Sequence, residues 1–250
     1  MPFTPAHPAI ILPLIKSRYF SATALIAGSL SPDFEYFFKM SVSSVHSHTV
    51  AGLFYFDLPV TAFISILFHQ VVKKNLIYNL PPFLRRKFEP LLEVDFIGYL
   101  KTHVLIFITS ALLGAASHIF WDSFTHNHAF FARTLPFYKG TYIPYDGVRY
   151  PLFYALQHIS TAVGLTIVSI YILALKTRPS GIHSSQKFLY WSTLLTITTV
   201  VTWTRFVIRP LGTDIGNLIV SIISGLLLAL VCCGFINFKQ TNIAQQSLDG

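Results

Sequence analysis

The 250-residue sequence is short of charge: Asp, Glu, Lys and Arg make up 11% of it, against about a quarter in an average soluble domain. With 53% hydrophobic residues and a mean hydropathy of +0.58, that shortage excludes an ordinary soluble domain and points to a membrane protein. Cysteine is nearly absent. Cys232 and Cys233 are adjacent within the last apolar run, so they offer neither a disulfide framework nor a zinc knuckle and are expected to pack as small apolar groups. There is no Gly-x-Ser-x-Gly elbow and no Gly-rich phosphate loop, which removes serine-hydrolase and P-loop chemistry. The order of a signal peptide is also missing, because Lys16 and Arg18 follow the first apolar stretch, and no cleavage is expected. The net charge of +8 sits mainly in short segments between apolar runs, where topology and anionic headgroups account for it. No nucleic-acid partner is expected; membrane lipid is.

What the sequence has in quantity is apolar runs and aromatic rings. Its 23 Phe and 12 Tyr fit lipid-facing helices with rings at the interfaces. The expected fold is all-α, a polytopic membrane helical bundle of about five spanning helices plus two short N-terminal helices, as a single integral membrane domain over residues 1–250. Residues 1–49 hold the short helices and a His-bearing loop, 50–175 the first three spans, and 176–250 the last two spans and a polar tail. The spans fall at about 50–72, 102–120, 151–175, 188–208 and 215–238. Asp57-Leu58-Pro59 is expected to break the first. Residues 73–101, the most charged region, read as a surface loop or an amphipathic hairpin, and 127–150, rich in Tyr, Pro and Gly, as a long loop of the kind that covers a site.

The second span ends in Ala116-Ser117-His118-Ile119-Phe120-Trp121-Asp122-Ser123-Phe124-Thr125-His126. A step of four along a helix turns about 400°, so His118, Asp122 and His126 stack along one face. An imidazole and a carboxylate at that spacing recur in helix-borne metal sites, because both heads point into one small volume. Alternation of five spans then sorts the remaining donors. His7, Asp33, His46 and His48 precede the first span, and His158 lies just inside the third, so all share a membrane side with Asp122; His69 and His103 lie at the opposite ends of their spans. Ionisable groups at membrane depth are costly without a partner, and a divalent metal, with zinc as the expected ion, supplies one. Asp33 and His48 are the natural additions to His118 and Asp122, with His7 a further candidate. His126 is either another donor or a group that holds Asp122. Asp57 is either an orienting or general-base residue or a partner for backbone groups freed at Pro59. His46 reads as a solvated loop histidine, and Arg205 and Arg209 either bind an anionic headgroup or snorkel to the interface. Eight Lys and Arg fall on the site side and ten on the other, which puts the site outside the cytoplasm.

Four separated phrases, MPFTPAHPAIILPL, GSLSPDFEYF, SHTVAGLFYFDLP and ASHIFWDSFTH, resemble the bacterial integral membrane proteins grouped as domain of unknown function 4184, over roughly residues 1–175. More remotely, the arrangement is similar to membrane-bound metal-dependent hydrolases and to the zinc-dependent phospholipase C group, helical proteins whose ligands are His and Asp from several helices. That resemblance implies one metal on Asp33, His48, His118 and Asp122, with His7 joining Asp122 at another. The sequence also departs from the phospholipases. It has no N-terminal Trp, and their His-x-x-x-Glu pair is lacking because Ala162 stands four residues after His158. One metal, or two with His126 contributing, is therefore expected rather than a trinuclear centre. The functional expectation is hydrolysis of an ester or phosphoester of a lipid or lipid-linked substrate, in a bacterial inner or plasma membrane. The alternative is a non-enzymatic membrane protein whose His/Asp cluster is a structural metal site or a polar network. A transporter fits less well, for want of paired broken helices.

Overall fold

Prolines and small residues shape the first hundred residues. The computed structural model describes residues 3–127, 129–177, 182–184, 186–210, 214–238 and 240–242. Its N-terminal segment forms a 3-10 helix, Thr4–Ile10, and a further turn, Leu12–Leu14; Pro5 and Pro8 remove the N–H groups that a longer α-helix would need. Helix α1 (Ala22–Leu30) starts at Ser21, whose hydroxyl accepts from the Ala24 N–H. One 3-10 turn, Ser31–Asp33, joins it to α2 (Phe34–Lys39).

Helix α3 runs unbroken from Leu53 to Asn79. The expected break at Asp57-Leu58-Pro59 is not there: a π turn, Leu53–Asp57, precedes the proline and lets the helix continue past its missing N–H, while the Thr61 hydroxyl reaches the Asp57 carbonyl at 2.7 Å. A second π turn covers Phe68–Val72. Residues 73–101 are not a surface loop either. They complete α3, then form α4 (Pro82–Phe88), a 3-10 stretch (Glu89–Glu93) and most of α5 (Phe96–Thr102). Lys73 and Arg85 are buried; long aliphatic stems pack inside while the Lys73 ammonium donates to the Val94 carbonyl at 3.0 Å.

The rest comprises α6 (Val104–Asp122), α7 (Phe130–Thr134), a hairpin of β1 (Tyr142–Tyr145) and β2 (Val148–Pro151), α8 (Leu152–Ala174), α9 (Lys187–Ile208) and α10 (Ile215–Phe235), with β3 (Ile182–Ser184) paired to β4 (Gln240–Asn242). The fold is all-α apart from these strand pairs. Helices α3, α6, α8 and α10 are long and apolar enough to cross a membrane, and the chain is an integral membrane protein.

The fifth expected span differs. Helix α9 has the length, but Ser192, Thr193, Thr196, Thr198, Thr199, Thr202 and Thr204 leave it less apolar than the other four. It nevertheless lies antiparallel beside α10 from end to end. Tyr190 packs with Ala229 and Cys233, a Cβ on Gly225 would meet the Thr198 carbonyl at 3.0 Å, and the Arg205 and Ser221 side chains both reach the Met40 carbonyl. The Ser192 and Thr198 hydroxyls return bonds to their own helix, Thr198 to the Leu194 carbonyl at 2.8 Å, which lowers their desolvation cost at depth.

Two compact units result. One holds Met1–Phe34, Val45–Ala62 and His103–Ala174; the other holds Glu35–Ser44, Phe63–Thr102 and Leu175–Gly250. In the first unit α1 and α6 touch backbone to backbone. A Cβ on Gly28 would lie 2.4 Å from the Ala111 carbonyl oxygen, and one on Gly114 would lie 2.4 Å from that of Leu25. Only glycine permits that approach, and it brings the end of α1 against the turn of α6 that carries His118.

Candidate metal centre

Four pieces of the first unit deliver donors to one place. The 3-10 helix supplies His7, the turn after α1 supplies Asp33, the loop before α3 supplies His48, and the last turns of α6 supply His118 and Asp122. His7, Asp33 and His118 are wholly buried and Asp122 nearly so.

The separations between donor atoms are the informative quantity. His118 Nε2 lies 3.5 Å from Asp33 Oδ1 and 3.4 Å from Asp122 Oδ2, while His48 Nε2 lies 3.6 Å from each of the same two oxygens. An N–H···O hydrogen bond is about 2.7–3.2 Å long, and neither His118 Nε2 nor Asp33 Oδ1 nor Asp122 Oδ2 makes one, although each is buried. Buried polar atoms are seldom left so. Two ligands of one zinc, each at about 2.0–2.2 Å and a tetrahedral angle apart, stand about 3.4 Å from each other. These donors have the spacing of co-ligands.

The other atoms of the same side chains are tied down. His118 Nδ1 is 2.8 Å from the Ser29 carbonyl, so that nitrogen carries the proton and Nε2 presents its lone pair. Asp33 Oδ2 accepts from the Thr4 hydroxyl at 2.5 Å, leaving Oδ1 for the centre. His48 Nδ1 is 2.9 Å from the Ser47 hydroxyl. His7 stacks on His118 with ring centroids 3.5 Å apart and places Nε2 3.5 Å from Asp122 Oδ1, the oxygen on the other side of that carboxylate. Two overlapping groups follow, Asp33 with His48 and His118, and His7 with His118 and Asp122, each with donor atoms within 4.8 Å of one another.

Burial, aided by the neighbouring His118, pushes the His7 imidazole down to about 3, so it is neutral, as a ligand must be. Burial alone would raise the Asp33 carboxyl, but His118 and His48 outweigh it and hold the group below its ordinary value. For His48 burial pulls downward, and Asp122 with Asp33 more than reverse it, leaving the imidazole raised. Burial also lowers His126.

A family model described as domain of unknown function (DUF4184) matches residues 1–235. The chain belongs to the DUF4184 family. The match extends well past the four phrases of the sequence, through the whole of α10. No curated protein and no solved structure matches.

Within this DUF4184 chain the remaining candidates lie outside both donor groups. His126 Nδ1 sits 3.1 Å from the Asp122 carbonyl and 3.7 Å from Asp122 Oδ2, the position of a group that holds Asp122. Asp57 is buried and contributes to neither group. His46 is exposed and pairs with the Tyr55 hydroxyl at 3.1 Å, and His158 lies edge-on to Tyr154. His69, excluded by its place in the chain, stacks on Phe96 in the second unit. Sequence reasoning missed two supports, Thr4 and the Ser29 carbonyl. Thr4 had a signal, since it stands three residues before His7 in a turn that must face Asp33; a backbone carbonyl leaves none.

Proposed function

We propose that this protein is a metal-dependent hydrolase of the membrane, holding zinc or a similar divalent ion on Asp33, His48, His118 and Asp122 and acting on an ester or phosphoester of a lipid or lipid-linked substrate. The observation that carries the reading is the set of four donor separations. Each of these His–Asp pairs, 3.4–3.6 Å apart, has the spacing of two donors that each lie about 2.1 Å from one ion, the length of a zinc bond to nitrogen or oxygen. Two imidazoles and two carboxylates suit that ion. Bound there, it supplies a water of lowered pKa and polarises a phosphoryl or acyl oxygen.

Hydrolysis is favoured over a structural brace by the surplus of donors. A structural zinc is saturated by four ligands, yet His7 Nε2 and the second Asp122 oxygen face each other beside this set, and His126 adjoins it. The exposed rim is made of imidazoles: the His48 side chain is 19% exposed and that of His126 29%, so substrate would enter past them and His126 would move the proton. Lipid chemistry follows from depth, since the donors stand at the end of a membrane span. The basic-residue count of ten against eight favours an outward-facing site in a bacterial inner or plasma membrane. The brace keeps one observation of its own, the complete burial of Asp33 and His118.

Purified protein assayed on fluorogenic carboxylic-ester and phosphodiester lipids is expected to hydrolyse one class, to stop in chelator and to recover with zinc. His126→Ala is expected to lower turnover roughly a hundredfold while retaining metal. Full metal content and chelator-sensitive melting without hydrolysis of either class would leave only the brace. Thr4→Val, nearly isosteric, removes the hydroxyl that orients Asp33 and is expected to weaken metal affinity about 10–100-fold in a competition titration with a chelating indicator. Unaltered affinity would show that Thr4 does not orient the ligand.

A further inference from the structure

The second unit carries a groove of about 390 Å³ between the end of α2 and the last turns of α9, lined by Phe38, Lys39, Met40, Val200, Val201, Thr204, Arg205, Ile208 and Arg209. We propose that it binds an anionic phospholipid, with the phosphate on Arg205 and Arg209 and an acyl chain along Phe38, Val200, Val201 and Ile208. Its charge is unbalanced. Lys39 is paired with Glu35 at 2.5 Å, whereas among the described residues Arg205 and Arg209 form no ion pair, and Asp214 is occupied in capping α10 through the Gly216 and Asn217 N–H groups. Two positive charges therefore stand in excess beside apolar side chains.

Arg205 is also preorganised. Its Nη1 donates to the Arg209 carbonyl at 2.7 Å and its Nη2 to the Met40 carbonyl at 3.3 Å. Met40 is turned to receive it, with φ of 48°, a left-handed conformation that is rare for a non-glycine residue. A snorkelling arginine needs no such fixing; a guanidinium held by two carbonyls keeps its remaining N–H groups aimed. Ile208 is exposed at the end of α9, which runs the length of α10, and Phe38 is exposed on α2 in the same groove, so an apolar wall adjoins the arginines as acyl chains adjoin a headgroup phosphate. A soluble anion would satisfy the arginines and leave that apolar wall bare. The groove shares no residue with the metal centre, and the proposal does not rest on the hydrolase reading.

The test is thermal melting of the full chain in nanodiscs of phosphatidylcholine alone or with a fifth of phosphatidylglycerol, together with native mass spectrometry of retained lipid. Wild type is expected to melt higher with phosphatidylglycerol and to retain it. Arg209→Gln, at an exposed position whose side chain makes no hydrogen bond or ion pair among the described residues, is expected to weaken retention roughly fivefold, and Arg205→Gln at least as much. Lys139→Gln, an exposed cation in the first unit, is expected to change nothing. Equal melting in the two bilayers, or undiminished preference in Arg209→Gln, would overturn the proposal. So would displacement of the lipid by millimolar inorganic phosphate, which would assign the cations to a soluble anion.

Discussion

His118→Ala is expected to abolish metal binding and to cost roughly 3–5 kcal/mol of stability, the range seen when the compensating partner of a buried charge is lost, because without the ion the Asp33 and Asp122 carboxylates stand buried together. His118 is the only residue common to both donor groups. Its Nε2 lies between the two buried carboxylates, Asp33 and Asp122, and its Nδ1 fastens α6 to α1 through the Ser29 carbonyl. Alanine removes the donor, the fastening and, with the ion, the positive charge that compensates two buried carboxylates. His118→Asn separates these effects. Its amide can still donate toward Ser29 but supplies no imidazole at the centre, so part of the stability is expected to return and none of the metal. Metal content after gel filtration and thermal melting with and without added zinc read both quantities. A His118→Ala protein that keeps its metal would place the ion elsewhere.

Gly114→Ala is expected to lose metal affinity by roughly a hundredfold although it touches no donor. A Cβ there would stand 2.4 Å from the Leu25 carbonyl oxygen and 2.9 Å from the Ser29 nitrogen, distances at which backbone must move. His118 follows Gly114 by one turn, and Asp33 follows Ser29 by four residues, so pushing α1 from α6 opens the donor set itself. Misplacing a ligand by about an ångström is enough to spoil a metal site. Leu194→Ala in the core of the second unit is the control for general destabilisation. It is expected to cost about 2–5 kcal/mol and to leave affinity intact. If the two variants lose metal equally, the effect is global unfolding and not helix spacing.

His118 and Asp122 were legible because helical periodicity alone places them together. His7, Asp33 and His48 needed a second argument, span alternation, which puts distant residues on one membrane face without giving any distance; the structure gathers these three beside α6. The same reasoning set aside His69 and His103, and both fall outside the donor groups. It could not rank His126 against Asp57, because which backbone carbonyl an imidazole meets depends on how the chain turns after α6. The break expected at Pro59 and the loop expected at 73–101 failed for related reasons. Proline and charge are read from sequence as breakers and surface markers, whereas a π turn accommodates the one and long side chains snorkelling to carbonyls accommodate the other. Helix α9 shows the reverse case. Its hydroxyls dilute hydropathy, yet it lies along α10, with those of Ser192 and Thr198 bonded back to the helix.

The most direct measurement is elemental: the metal content of protein purified without chelator, paired with its melting temperature before and after dialysis against one. About one equivalent of zinc or another divalent ion per chain, with melting lowered by the chelator and restored by the ion, is the expected result. Protein without stoichiometric metal, melting identically in both conditions, would contradict the metal centre and leave Asp33, His48, His118 and Asp122 as a buried polar network.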